Sequence, residues 1–310
     1  PQPPARSAPP VATLDNWWAR PFQPFLVMWG TPDRLTVDPS GLLPVIVPLL
    51  FGYMFPDVGH GLLLVLLGLA LYRRSPRTRF LMPCGLAAMV FGALFGEVFG
   101  FHGLVSPLWM KPLDDPLAVL AIPMGFGVVL MLLGLAFAGF EAHWRGELRA
   151  WLLLDAAVLL LYVSLLAGVF TPRAFWFTGL AIGHYFIGAL VLASAGERGV
   201  ALLNAAGQLL LSIFELAMNT LSFLRVGAFA LAHAALSLAI LTLAEGVDSP
   251  WAWGLIILLG NLFGVVMEGL LVFVQTTRLV LFEFFIRFLH AEGRLFRAVG
   301  KAPGGSGKGN

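Results

Sequence analysis

The chain has 310 residues, of which 59% are hydrophobic and 12% charged, and its mean hydropathy is +0.87. Soluble domains carry about a quarter charged residues, so this composition excludes an ordinary soluble protein and predicts one that lies in a bilayer. The formal net charge of +2 comes from short loops between apolar runs and does not indicate nucleic-acid binding. With one cysteine, Cys84, disulfides within the chain, cysteine zinc sites and iron–sulfur ligation are excluded. We predict no cofactor site, no metal site and no nucleic-acid partner.

Apolar runs of about 20 residues divide the chain, and each is long enough to cross the hydrocarbon as a helix. Before them we expect a flexible Pro-rich tail at 1–13, typical of a processed or trimmed chain, and a cytoplasmic or interfacial segment at 14–41. After the transmembrane domain at 42–290 we expect a flexible cytoplasmic tail at 291–310. The predicted spans are 42–56, 58–72, 80–101, 117–140, 151–170, 174–195, 204–244 and 250–289. The prediction is an all-α, polytopic membrane protein with about eight transmembrane helices.

Three features of these spans add to the structural prediction. Pro56 in FPDVG interrupts the helical hydrogen-bond ladder, so the first two spans form either one broken helix or a tight hairpin. The last two spans are about 40 residues each, which requires strong tilting, kinking or projection from the membrane. Glycines at four-residue spacing in FGALFGEVFGFHG (91–103) predict close helix packing.

The positions of Lys and Arg test the count of eight. If the amino terminus is cytoplasmic, all but four of the 19 Lys and Arg fall in tails or loops on the cytoplasmic side. The exceptions are Lys111 and Arg173 in outside loops, and Arg225 and Arg278 within spans. Because Lys and Arg in short loops stay cytoplasmic, this asymmetry predicts that both termini are cytoplasmic.

Arg225 and Arg278 are energetically unfavourable in a membrane, since each lies deep in an apolar run. The runs are LSFLRVGAFALAH and LLVFVQTTRLVLF. A permanent cation in hydrocarbon must face protein, water or a counter-ion, so both arginines are functional candidates. The alternative is a snorkelling or structurally paired arginine. Glu268 and Gln275 are seven residues apart, and Arg278 is one turn beyond Gln275, so the three predict a polar stripe on one helix face.

Four motifs occur in order: LLFGYMFPDVGHG (49–61), LFGEVFG (94–100), NTLSFLRVGAFALAHAALS (219–237) and GNLFGVVMEGLLVFVQTTRLVLFEF (260–284). In this order they resemble the membrane half of the V-type and A-type rotary ATPase stator subunit, called subunit a or subunit I. The resemblance covers residues 14–290. Two features differ from that family: few residues precede the first span where a large soluble half is usual, and HAEGRLFRAVGKAP stands where an aromatic, Gly-rich tail is usual.

The resemblance implies an ion-translocating stator subunit, with protons as the default ion, working against a proteolipid c/K ring. Arg225 and Arg278 would favour ionisation of the ring carboxylate, and aqueous half-channels would lead to it. Peripheral-stalk and central-stalk subunits and the lipid bilayer would be the other partners. The chain would be no enzyme on its own and would bind no nucleotide; its tail GGSGKGN lacks phosphate-loop spacing. The resemblance implies the following translocation residues: Arg225, Arg278, Glu268, His233, Gln275 and Asn219, with Glu215, Ser222 and Asn261 as possible channel lining.

Structural or interfacial roles stay open as alternatives for several polar residues. Glu268 could be a neutral carboxyl bonded to a neighbouring helix, and His233 a satisfied interhelical donor. For Asp57, His60 and Glu97, which lie at helix breaks, we favour a structural or interfacial role. Ordinary interfacial roles are expected at the ends of spans, for Glu141, His143, Asp155 and His184.

Two other functions are compatible with the residues. One is a stand-alone ion-coupled transporter that uses Arg225, Glu268 and Arg278, although the internal repeat common in such proteins is not evident. The other is a non-conducting divergent relative that acts in assembly. Low lysine usage beside abundant Ala, Leu, Gly and Arg favours a prokaryotic plasma membrane.

Overall fold

The computed structural model describes residues 20–22, 41–74, 76–102, 105–194, 196 and 198–284. Its helices are α1 (Leu43–Met54), α2 (Val58–Leu71), α3 (Leu81–Phe95), α4 (Pro116–Arg145), α5 (Leu148–Leu153), α6 (Asp155–Phe170), α7 (Phe175–Leu192), α8 (Arg198–Ser222), α9 (Leu224–Glu245), α10 (Pro250–Phe263) and α11 (Gly269–Arg278). Two π-helical segments, Gly264–Glu268 and Leu279–Phe284, follow α10 and α11. Short 3-10 turns lie at Arg20–Phe22, Pro76–Phe80 and Pro172–Ala174.

The predicted all-α, polytopic membrane fold is confirmed. Within the described residues, six helical stretches are long and apolar enough to cross a membrane, and α1 and α2 are shorter apolar helices of 12 and 14 residues. The count of eight crossings therefore stays a prediction. The predicted tails at 1–13 and 291–310 lie outside the described residues, as does the segment at 14–41 apart from residues 20–22.

The break between α1 and α2 falls at Phe55–Asp57, where Pro56 was expected to interrupt the helix. Asp57 caps α2 by accepting a hydrogen bond from the His60 backbone N–H. Both helices pack against α3 more extensively than against each other. Gly61 and Gly85 bring α2 and α3 into backbone contact, since a Cβ on either would lie 2.6 Å from the carbonyl oxygen of the other. This small-residue contact is typical of helix packing in membranes, where van der Waals contact drives association.

A two-residue β-hairpin follows α3, and the prediction of a helix through residue 101 is wrong there. Strand β1 (Glu97–Val98) pairs antiparallel with β2 (Phe101–His102). Gly96 ends α3 in the left-handed conformation, with φ of 79°. The turn has positive φ at both central residues, 50° at Phe99 and 73° at Gly100, which matches the twist of a tight hairpin.

Asp57 explains why this hairpin is stable. Its Oδ1 accepts a hydrogen bond from the N–H of Phe99 (3.0 Å) and its Oδ2 accepts one from Gly100 (2.8 Å). A buried carboxylate therefore satisfies the turn amides and offsets the strain of a non-glycine residue at positive φ. Gly96 and Gly100 serve backbone conformation, not the helix packing that their spacing predicted.

The last two helical stretches, 198–245 and 250–282, are the longest among the described residues. Residues 198–245 form α8 and α9, interrupted at Phe223, and 250–282 form α10, the first π-helical segment, α11 and part of the second segment. At about 1.5 Å per residue, 48 helical residues span roughly 70 Å, far more than the ~30 Å hydrocarbon core. Strong tilting, kinking or projection is therefore required, as predicted.

The core includes residues of α8, α9 and α11. Phe223 is fully buried beside Gly127, and Gly227 brings α9 against the backbone of α4 at Val119. The Tyr53 hydroxyl donates a hydrogen bond to the Val119 carbonyl, which ties α1 to α4. By contrast α10 has no buried residue, and its large apolar side chains are exposed. One face of α10 and α11 is thus left open to lipid or to another protein.

Candidate functional site

Arg225 lies in the first turn of α9, directly after the interruption at Phe223. Its Nη1 donates a hydrogen bond to Gln275 Oε1 (3.2 Å) on α11, and its Nη2 donates one to Ser222 Oγ (3.0 Å) on α8. The side chain is half-buried. Both hydrogen-bond partners are neutral, and the ion pairs among the described residues do not include Arg225. The guanidinium is therefore held in place, and no carboxylate in the described part of the chain pairs with it.

Arg278 is the last residue of α11 and has an exposed side chain. It lies one helical turn beyond Gln275, on the exposed face of α10 and α11. The ion pairs that the structure records within its described ranges do not include Arg278 either. Both predicted cations thus belong to the two longest helical stretches, joined through Gln275.

Glu268 and His233, both predicted site residues, form a direct contact. His233 Nδ1 lies 2.7 Å from Glu268 Oε2, and the geometry is that of an N–H donating to a carboxylate. The other ring nitrogen of His233, Nε2, lies 3.4 Å from Glu97 Oε2. Glu97 and His233 are buried, and Glu268 keeps 16% of its side chain exposed. The imidazole therefore lies between two carboxylates, one of which reaches the surface.

Asn261 and His60 extend this group. Asn261 Nδ2 donates to the Ile257 carbonyl, which orients the amide so that Oδ1 accepts from His60 Nε2 at 2.8 Å. His60 Nδ1 lies 3.9 Å from Asp57 Oδ2. We call these residues the histidine cluster: Asp57, His60, Glu97, His233, Asn261 and Glu268.

A small cavity borders the histidine cluster between α9 and α10. It is lined by His60, His233, Asn261 and Glu268 together with apolar side chains, and about 10 Å³ is open to the centre of a water molecule, room for one water. The cavity therefore has no room for bulk water beside these polar groups.

Glu215 and Asn219 lie on the other side of Arg225 along the same helical stretch. They line a cleft of about 480 Å³ whose walls come from α4, α5, α6, α8 and the second π-helical segment. We call it the acidic cleft; its lining residues are Leu135, Ala138, Trp151, Asp155, Glu215, Asn219 and Phe282. A second cleft of about 330 Å³ shares Ala138, Trp151 and Asp155 and continues to Arg145 and Glu147 at the α4–α5 connection.

The π-helical segments adjoin two of the candidate residues. Glu268 is the last residue of the first segment, and Arg278 directly precedes the second. A π turn adds a residue to the helical turn and changes the direction of the side chains beyond it, and such turns are frequent at functional sites.

The predicted residues thus fall into three groups. The structure brings Arg225, Ser222 and Gln275 together; Glu268, His233 and Asn261 together; and Glu215 and Asn219 together. Arg278 stands apart on the exposed face. Sequence reasoning favoured structural or interfacial roles for Asp57, His60, Glu97 and Asp155, yet the first three contact or border His233 or Asn261 and Asp155 lines the acidic cleft. The available signal was a charged or titratable residue within an apolar stretch.

Comparison with known proteins identifies relatives of this chain. Residues 2–93 match the V-type ATPase 116kDa subunit family. The A-type ATP synthase subunit I of Thermococcus kodakarensis is 27% identical over 325 residues, which covers 93% of this chain and 47% of the relative. These matches support a relationship between this chain and the V-type ATPase 116kDa subunit family.

Further relatives match over similar lengths. The A-type ATP synthase subunit I of Pyrococcus horikoshii is 26% identical, covering 93% of this chain and 47% of the relative. That of Methanocaldococcus jannaschii is 27% identical, covering 89% and 47%. The chain spans about half the length of these curated relatives. With its long apolar helices, this chain is an integral membrane protein.

Proposed function

We propose that this chain is the ion-translocating stator subunit of a V/A-type rotary ATPase, and that the ion is the proton. The observation that carries the proposal is the position of Arg225. It is a cation that pairs with no carboxylate among the described residues; it lies between two polar regions of one long helical stretch and is fixed to the second long stretch by Gln275. Relatives named A-type ATP synthase subunit I support the same conclusion.

The chemistry follows from the cost of charge in lipid. A carboxylic acid carried on a rotating proteolipid c/K ring stays neutral while it faces hydrocarbon. When it meets Arg225, the guanidinium favours the ionised form, so the carboxyl releases its proton. Arginine suits this role because it stays charged in a low-dielectric site where lysine could lose its proton. The carboxylate takes up another proton before it returns to lipid.

Two half-channels supply and remove the proton. Glu268 and His233 form one of them, with Asn261 as lining, and this half-channel passes the proton between hydrogen-bonded side chains. Asn219 and Glu215 line the other, where the acidic cleft has room for water. Gln275 and Ser222 position the Arg225 guanidinium, and Arg278 is a second cation on the face that meets the ring.

The remaining assignments extend this model. The ring would cover the exposed apolar face of α10 and α11. Peripheral-stalk and central-stalk subunits would complete the complex, and ATP chemistry would take place in subunits other than this chain. We assign residues 42–290 as the transmembrane domain in a prokaryotic plasma membrane, with cytoplasmic tails at 1–13 and 291–310, a cytoplasmic or interfacial segment at 14–41 and both termini cytoplasmic.

The test is ATP-driven proton uptake by inverted vesicles that contain the assembled complex. Arg225→Ala removes the central cation, and Arg173→Ala, an exposed arginine in the turn Pro172–Ala174, is the matched control. We expect uptake to vanish in Arg225→Ala with the complex intact, and to be unchanged in Arg173→Ala. Normal uptake by an intact Arg225→Ala complex, or the failure of a proteolipid ring to co-purify with wild type, would overturn the proposal.

A further inference from the structure

The histidine cluster holds donor atoms of the kind that bind transition metals. One donor atom from each of Asp57, His60 and His233 lies within 4.8 Å of the other two, and all three residues are buried. Three atoms at such separations share a point no more than about 2.8 Å from each, and zinc binds imidazole nitrogen and carboxylate oxygen at about 2.0–2.2 Å. Movements of under about 1 Å would therefore bring all three donors to one ion.

Hydrogen bonds on the far side of each ring set which nitrogen can bind a metal. Asn261 Oδ1 accepts from His60 Nε2–H, so the neutral ring has its lone pair on Nδ1. Glu268 accepts from His233 Nδ1–H, so the lone pair of the neutral ring is on Nε2. Those two atoms, His60 Nδ1 and His233 Nε2, are buried and make no hydrogen bond within the described residues. Carboxylates and amides that fix metal-binding histidines in this way are general in zinc sites.

The surroundings supply charge and rigidity. Glu97 Oε2 lies 3.4 Å from His233 Nε2, next to the proposed ion position. With Asp57 and Glu268 the cluster has three carboxyl groups around two imidazoles, and a divalent cation would favour the ionised form of each carboxyl group. Phe55 stacks on His60 at 5.4 Å between ring centroids and meets His233 edge-on at 5.1 Å, so both rings are held by packing.

We propose that Asp57, His60 and His233 form a binding site for a divalent transition metal of the zinc class, with Glu97 as the adjacent fourth donor. Imidazole with carboxylate suits Zn²⁺ and Co²⁺, and the absence of thiolate from this set disfavours Cu(I). The small cavity beside both imidazoles is the route by which the ion reaches the donors. Sequence reasoning predicted no metal site because His233 lies on α9, far along the chain from Asp57 and His60 at the start of α2.

Metal binding would also affect transport. A metal on Nε2 would fix the His233 ring and thereby inhibit proton transfer through Glu268. This consequence rests on the proposed function, whereas the site itself does not.

The test is metal binding by the full chain purified in detergent and freed of metal. Zn²⁺ is titrated in competition with a chromophoric chelator, and Co²⁺ binding is followed by visible absorption. Wild type should bind one Zn²⁺ per chain, and bound Co²⁺ should give the intense visible bands of four-coordinate geometry. His60→Gln, which retains an amide N–H toward Asn261, should weaken Zn²⁺ binding at least about tenfold. His184→Gln, at an exposed histidine outside the cluster whose ring contacts the Leu152 carbonyl, should bind like wild type.

Three results would overturn the site. They are equal Zn²⁺ affinity in His60→Gln and wild type, equal loss in His184→Gln, and the absence of stoichiometric binding by wild type. If His60→Gln does not fold, X-ray absorption of the wild-type Zn²⁺ complex decides, because the site requires two imidazoles in the metal's shell. Since no transport is measured, failure here leaves the proposed function standing, and loss of pumping in Arg225→Ala leaves the metal site standing.

Discussion

The histidine cluster and the acidic cleft lie on opposite sides of Arg225 along residues 198–245, and they are built differently. In the cluster, side chains contact one another at hydrogen-bonding distance, and the adjoining cavity admits about one water. In the cleft, Asp155, Glu215 and Asn219 face a space of about 480 Å³. A proton that passes the cluster depends on particular side chains, whereas a proton that passes the cleft can travel through water.

This contrast predicts how sensitive each region is to substitution. A group in a contact network cannot be replaced by solvent, because bulk water has no access to its position. A group that lines a wet cleft can be replaced, since water supplies the same donors and acceptors. Substitutions in the cluster should therefore have large effects on pumping, and those in the cleft small ones.

The largest effect is expected for Glu268→Gln, which removes the carboxylate that contacts His233. The amide cannot take up and release a proton, so ATP-driven uptake should fall by about a hundredfold or more. The measurement is uptake in vesicles with matched amounts of complex. Glu245→Gln, at the exposed end of α9, is the control and should pump normally. Near-normal uptake in Glu268→Gln would remove Glu268 from the proton path.

The next largest effect is on stability, for Asp57→Ala. This change removes the cap of α2 and the acceptor for two hairpin amides, so the free energy of unfolding should fall by about 2–4 kcal/mol. Detergent-induced unfolding measures the change. Asp115→Ala is the control, because the Asp115 side chain caps α4 at an exposed position with a single hydrogen bond. Equal losses in the two variants would show that the buried hairpin contacts add nothing.

A moderate effect is expected for Gln275→Leu. Arg225 loses one of its two hydrogen-bond acceptors, and a hydrogen bond to a charged group contributes about 1.5–3 kcal/mol. If even the lower part of that range serves to position the guanidinium, uptake should fall by about tenfold. Gln208→Leu on the exposed side of α8 is the matched control. Unchanged uptake in Gln275→Leu would mean that Ser222 alone fixes Arg225.

The smallest effect is expected in the acidic cleft, for Asp155→Asn. Water in the cleft can replace the lost carboxylate, so uptake should fall by only about two- to threefold. The double variant Asp155→Asn/Glu215→Gln should be close to the product of the single effects, since solvent separates the two groups. A collapse of pumping in Asp155→Asn would contradict the distinction between the two regions.

The sequence predicted the helices well because hydropathy and length determine where an apolar chain crosses a bilayer. Residues 117–140, 151–170 and 174–195 fall within a few residues of the observed helices. The hairpin after α3 was missed because Glu97–His102 continues an apolar run, and hydropathy does not separate a strand from a helix there. Its signal is conformational, in the left-handed Gly96 and Gly100.

The candidate site was predicted only where its residues share a helix. Gln275 and Arg278 follow from helical spacing, and Arg225 from its cost in lipid. The approach of Glu97 and His60 to His233 depends on how α2, the hairpin and α9 pack, and helical periodicity within one segment has no information about that packing. The π-helical turns beside Glu268 and Arg278 have no local sequence pattern that we could use.

The central claim, that the two regions are separate half-channels, requires them to open to opposite sides of the membrane. Cysteine accessibility tests it with little background, since the native Cys84 is fully buried. Ala138→Cys lies in the acidic cleft and Leu241→Cys at the rim of the small cavity, and both positions are half-buried and outside the proposed proton path. In vesicles of known orientation, a membrane-impermeant maleimide should label Ala138→Cys only from the cytoplasmic side and Leu241→Cys only from the other. Labelling of both from the same side would contradict the account.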